Sequence, residues 1–94
     1  MIFGNLGKMA EMVKQAKAIK DELSRARFEE EGGGVKVIIN GEMDILELKI
    51  SPEVSIVKAE KEVKDVVNRA MHKAKMESAK IMQKLTGGMN LPGM

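Results

Sequence analysis

Cysteine is absent from the 94 residues, and so are tryptophan and tyrosine; Phe3 and Phe28 are the only aromatic side chains. The first absence excludes disulfides, thiolate metal ligation and any cysteine nucleophile. The second leaves a core to be built from aliphatic side chains and from the nine methionines. There is one histidine, His72, so a multi-histidine metal site within the chain is not available, and it reads as a surface residue. No stretch approaches the roughly 18 to 20 apolar residues of a membrane span, and the start lacks the basic and apolar segments of a secretory signal. The expectation is a soluble cytoplasmic protein without a membrane partner.

Catalytic signals are equally sparse. Gly32-Gly33-Gly34 is not followed by Lys-Ser or Lys-Thr opening a helix, so it reads as a connector rather than a phosphate loop. Glu29, Glu30 and Glu31 would point to alternate faces of a strand with no nucleophile beside them. These features predict no catalytic residue, metal, cofactor or small-molecule substrate, and hence no enzyme.

What is present is periodicity. Met9, Met12, Ala16, Ile19, Leu23 and Ala26 follow a 3,4,3,4,3 spacing that places them on one helical seam. A first helix is predicted over about residues 5–25, with Gly7 weakening its first turn. The period then changes to two. Val35, Val37 and Ile39 alternate, as do Leu46, Leu48 and Ile50, and Asn40-Gly41 between them is the preferred pair for a type I′ hairpin. Residues 27–31 read as a third strand, with the triple glycine as a flexible connector. Ser51-Pro52-Glu53 closes the sheet region, because proline fixes φ and cannot donate to a ladder. From about residue 58 to 86 the helical period returns, with Val63, Val67, Ala70, Ala74, Ile81 and Leu85 on one stripe and Gly87 as a stop. Residues 87–94 show no period and are expected to be mobile. The fold class is therefore α+β, a single domain over residues 1–94 with helix, antiparallel sheet and helix. A second helix of roughly 42 Å is longer than so small a domain covers by itself, so part of it must project or meet a second subunit.

The net charge is +2, but it is unevenly distributed. Residues 1–20 carry Lys8, Lys14, Lys17 and Lys20 against Glu11, a net +3. Residues 66–94 carry Arg69, Lys73, Lys75, Lys80 and Lys84 against Glu77, a net +4. The middle holds twelve acids and seven bases, a net −5. Arg69, Lys73, Lys80 and Lys84 fall within about 60° on the flank of the second helix, and Lys14, Lys17 and Lys20 lie beside the seam of the first. One reading is that these cations contact the phosphates of double-stranded DNA while the acidic body stays clear of the duplex. The bland alternative is that they are solvated helix faces. A third is a protein-interaction adaptor, in which Met9, Met12, Met71, Met76 and Met82 hold a partner chain.

Several segments together resemble a known family. Gly4-Asn5-Leu6-Gly7 with Met12-Val13-Lys14-Gln15-Ala16, Gly34-Val35-Lys36-Val37 with Asn40-Gly41, Val67-Asn68 through Ala70 with Lys73-Ala74, and Leu85-Thr86-Gly87-Gly88-Met89-Asn90-Leu91-Pro92-Gly93 are similar to the YbaB/EbfC pattern from end to end. Arg69 departs from it, standing where the family often has an acid, and extends the basic ridge towards the sheet. The resemblance implies an α-β-β-β-α protomer and a homodimer whose helices project like tweezers. It also implies DNA binding in the bacterial nucleoid, with a role in nucleoid organisation, transcription or DNA repair. The expected DNA contacts are Lys14, Lys17, Arg69, Lys73, Lys80 and Lys84, and the expected dimer or core seam is Met9, Met12, Ile19, Leu23, Val63, Val67, Ile81 and Leu85.

Overall fold

The computed structural model describes residues 6–86, and the tail expected over 87–94 lies outside them. Helix α1 covers Leu6–Arg25, strands β1, β2 and β3 cover Phe28–Gly32, Val35–Ile39 and Ile45–Ile50, and helix α2 covers Ile56–Thr86. The order is α-β-β-β-α around one antiparallel sheet, β1-β2-β3, as the sequence pattern anticipates.

Each boundary has a local cause. Helix α1 ends where Arg27 Nη1 donates to the carbonyls of Ser24 (2.8 Å) and Ala26 (3.1 Å), satisfying oxygens the last turn leaves open. Helix α2 starts two residues earlier than the apolar period indicates because Ser55 caps it. The Lys58 N–H donates to Ser55 Oγ at 3.2 Å and the Ala59 N–H to the Ser55 carbonyl at 2.8 Å.

The positive-φ hairpin forms, but not at Asn40-Gly41. It lies at Gly33 and Gly34, with φ of +58° and +85°, between the paired residues Gly32 and Val35. Two successive positive φ values are what a type I′ turn demands, and glycine meets them without a Cβ penalty. The expected flexible connector is thus the tight turn. Asn40 and Gly41 instead open a longer loop of residues 40–44, in which Met43 takes the positive φ of 68°. There the Asn40 side chain, 6% exposed, accepts from the N–H groups of Glu42 (2.9 Å) and Asp44 (3.0 Å).

The core lies between the sheet and one face of α2. Val35, Val37 and Ile39 of β2 and Val66, Ala70 and Ala74 of α2 are completely buried, and Phe28 joins them from β1. The buried stripe of α2 runs Val66, Ala70, Ala74 and Ser78, at four-residue intervals. It is rotated from the expected seam: Val63, Val67 and Ile81 only flank the core, and Leu85 is exposed. Small side chains at 70 and 74 let the helix lie close to the strands.

Strand β3 departs from simple alternation. Ile38 pairs with Glu47 but Ile39 pairs with Ile45, so Leu46 is an extra residue at a bulge. Leu46 lines a groove with Arg27, Glu29, Ile38 and Glu47. Leu48 and Ile50, opposite Val37 and Val35, share the helix-facing side, yet they are 43% and 45% exposed because α2 packs on β1 and β2.

Candidate nucleic-acid interface

The long axis of the molecule measures 64 Å against 23 and 17 Å across. From Ile56 to Ser78, helix α2 is roughly 33 Å long, and α1 from Leu23 back to Leu6 is roughly 26 Å long. Those two lengths account for the long axis only if α1 points away from the sheet. Its carboxyl end is tied beside Ser78, since the Gly41 N–H donates to the Leu23 carbonyl (2.8 Å) and Ser78 Oγ donates to the Gly41 carbonyl (3.2 Å). The helices are in contact. The start of α1 and the end of α2 therefore leave the body at the same pole, as an arm.

The arm carries Lys14 and Lys17 from α1 and Lys80 and Lys84 from α2, all exposed. Among the described residues Lys14, Lys17 and Lys84 form no ion pair. Lys80 reaches Glu77 one turn away at 3.4 Å, with both side chains largely in solvent. Such a pair contributes little and yields readily to a better anion.

Arg69 and Lys73 are placed differently. The expectation that the basic ridge stands clear of the acidic body fails at Lys73, because β1 lies against this part of α2. Glu30, opposite Val37 on the helix-facing side of the strand, meets Lys73 Nζ at 3.4 Å. The same ammonium donates to the Glu29 carbonyl at 3.3 Å, and Arg69 Nη2 donates to the Glu31 carbonyl at 3.3 Å. These two cations cover the free edge of β1. On the opposite face of the sheet Lys36 pairs with Glu29 at 2.8 Å, and this hydrogen bond, reinforced by the carboxylate's charge, holds the ammonium above its ordinary pKa of 10.5.

The expected seam divides in the same way. Ile19 and Leu23, near the junction, are half-buried, whereas Met9 and Met12 further out are 58% and 66% exposed. Residues not anticipated from the sequence are Val66, Ser78 and the pair Asn40 and Gly41. A four-residue spacing through Val66, Ala70, Ala74 and Ser78 was available as a signal for the first two.

A second surface is apolar. Beside β3 and the start of α2, Ile50, Pro52, Val54, Ile56, Ala59 and Val63 line an open groove of about 630 Å³, and Ile56 and Val57 are about 80% exposed. Among the described residues no cluster of three or more His, Cys, Asp or Glu could hold a metal ion. No described helix is long and apolar enough to cross a membrane.

A basic arm on an acidic α-β-β-β-α body agrees with a family match that spans residues 2–89, to the YbaB/EbfC DNA-binding family. The chain belongs to that family. Its similarity to curated nucleoid-associated proteins is end to end. A nucleoid-associated protein of Clostridium kluyveri is 35% identical, with 98% of this chain and 92% of the relative covered. One from Clostridium perfringens is 37% identical, with 97% and 93% covered. A third, from Clostridium novyi, is 37% identical, with 100% and 89% covered. Relatives of matching length make the YbaB/EbfC resemblance a property of the whole domain rather than of one motif.

Proposed function

We propose that the protein binds double-stranded DNA as a homodimer, in the nucleoid of the cytoplasm, chiefly through phosphate contacts made by Lys14, Lys17, Lys80 and Lys84. The observation that carries the reading is the common pole of α1 and α2, which gathers four exposed lysines at one end, where the acids are Glu11 and Glu77, while most of the acids lie in the body. Such an arrangement orients the molecule on a polyanion but offers little base readout, so a role in nucleoid organisation, transcription or DNA repair would follow from coverage and shape. Arg69 and Lys73 are assigned to holding the β1 edge, not to the duplex.

The dimer reading is supported by the other edge of the sheet. Strand β1 is capped by cations from α2, while β3 is an edge with half-exposed Ile45, Leu46, Leu48 and Ile50. Antiparallel pairing of β3 with its own copy about Leu48 sets Glu47 opposite Lys49 twice over, an isologous and charge-matched contact. The groove lined by Ile50, Pro52 and Ile56 would be covered in the same step. Exposed Met9 and Met12 favour a second reading, in which the arm holds a protein partner.

Anisotropy titrations of random and defined duplexes at several salt concentrations, with sedimentation to fix the oligomeric state, test the proposal. About eight arm contacts per dimer predict a log K against log salt slope near −7, similar for both duplexes. A flat salt response, or a monomer at micromolar concentration, overturns it.

A further inference from the structure

The geometry points to Gly41 as a positioning residue that sets the angle at which α1 leaves the body, and thereby the spacing between the α1 and α2 lysines. The inference rests on the proposed DNA reading for its consequence, though not for its geometry.

Gly41 is buried, and its backbone is used in both directions. The N–H donates to the Leu23 carbonyl in the last turn of α1, and the carbonyl accepts from Ser78 Oγ on α2. One residue of the β2–β3 loop thus joins the two helices of the arm. Its neighbour Asn40 is held by four hydrogen bonds: its N–H donates to the Asp44 carbonyl, its carbonyl accepts from the Met43 N–H, and its Oδ1 accepts from the N–H groups of Glu42 and Asp44. The loop is therefore a firm base for the joint. Ser78 is the one hydroxyl in the buried stripe of α2, 6% exposed, and this bond satisfies it.

Glycine is required at 41 by proximity, not by a positive φ. A Cβ there would lie 2.7 Å from the Leu23 carbonyl oxygen and 2.9 Å from Leu23 Cα. Both are backbone atoms, so relief needs α1 itself to move. The joint is the root of a lever: Lys14 lies nine residues from Leu23, roughly 13 Å along the axis, so a tilt of about 20° displaces it by roughly 5 Å. That exceeds the roughly 3.4 Å axial rise between phosphates on one strand, enough to lose the register between α1 and α2 lysines.

The test uses Gly41→Ala and the milder Ser78→Ala in the full chain. Because the chain has no cysteine, Ala18→Cys and Gln83→Cys take spin labels cleanly, and excess unlabelled wild-type chain dilutes labelled pairs to one per dimer. The label-to-label distance on α1 and α2 should shift and broaden in Gly41→Ala and broaden in Ser78→Ala. DNA affinity should fall about tenfold or more in Gly41→Ala, with the salt slope reduced by up to about 3.6 as four α1 contacts per dimer lose register. An unchanged distance in both variants overturns the assignment, whatever happens to affinity. A shifted distance with unchanged affinity and slope overturns the link to binding. If the wild-type chain fails to retain DNA, the DNA reading fails by itself and the distances still decide the joint. Should Gly41→Ala not fold, the Ser78→Ala distances decide the geometry and its salt slope decides the link.

Discussion

Replacing Lys14 and Lys17 by glutamine should halve the salt sensitivity of DNA binding while leaving the body untouched. Both side chains are exposed, on the outer part of α1, and neither forms an ion pair among the described residues. Their removal therefore leaves no buried charge uncompensated. In a dimer the double substitution deletes four of about eight contacts, and at about 0.9 per contact the slope moves from near −7 to near −3.6. Between 50 and 200 mM salt the wild-type affinity then falls about 10⁴-fold, and that of the variant about 10²-fold. Fluorescence anisotropy with a labelled duplex of some 30 base pairs across that range measures both slopes, and circular dichroism checks that α1 survives. The matching control is Arg69→Gln with Lys73→Gln, which removes as many charges per subunit from the β1 edge. Its slope should stay within about one unit of wild type, although its melting temperature falls. Equal loss of slope in the two variants would refute the division into a DNA-facing arm and a self-paired body.

Three further outcomes probe the scaffold. Val66→Ala deletes two completely buried methyl groups between α2 and the sheet, and should cost about 2 kcal/mol in urea unfolding; less than about 0.5 kcal/mol would mean the stripe is not the core. Gly34→Ala should destabilise by about 1–2 kcal/mol, because φ is +85° and the new Cβ would sit 2.5 Å from Val54 Cγ2. By contrast Gly7→Ala, with nothing within 4 Å, should strengthen α1 by about 0.5–1 kcal/mol; similar effects at the two sites would contradict the turn assignment. The Lys36–Glu29 pair raises the lysine pKa above 10.5, so its contribution is complete below that value and disappears as pH rises through the folded pKa. The melting-temperature gap between wild type and Lys36→Met should therefore shrink above pH 10.5, and a gap that stays constant would count against the pair.

Element types and order were legible because the chain switches period cleanly, from the 3,4 spacing of Met9 to Ala26 to the alternation of Val35, Val37 and Ile39 and back again. The hairpin location was not. Asn-Gly and Gly-Gly both tolerate two positive φ values, and only strand pairing shows that Gly33-Gly34 takes the turn while Asn40-Gly41 is drawn into a joint with α1 and α2. Rotation of the α2 stripe was also hidden. Val66 and Val67 are equally apolar, and the choice between them depends on the close approach permitted by Ala70 and Ala74. The segment charges show where cations collect but not the surroundings of Arg69 and Lys73. Segment charge does not reveal that β1 folds against the middle of α2, where inward-facing Glu30 and the open carbonyls of Glu29 and Glu31 claim those cations.

The proposed β3 pairing would couple to the arm through mass action, which makes a substitution remote from every proposed phosphate contact the sharpest remaining test. A lone protomer brings about four arm lysines to the duplex, half the electrostatic attachment of a dimer. If DNA binds the dimer more tightly than the monomer, it draws monomers into pairs, and protein concentration enters the apparent affinity. Leu48→Glu places a carboxylate at the centre of the β3 contact and, in antiparallel pairing, opposite its own copy, where like charges repel. In the protomer Leu48 is 43% exposed, so the fold tolerates the change. The variant should sediment as a monomer and bind DNA weakly at 150 mM salt, with a slope near −3.6 instead of −7. Flexible covalent linkage of two such chains should restore part of the loss, because the second arm then binds as a tethered group, whereas raising the concentration of wild-type protein should sharpen its binding curve. A monomeric Leu48→Glu protein with the full slope and affinity would show that one arm suffices, and would separate the apolar edge from DNA binding.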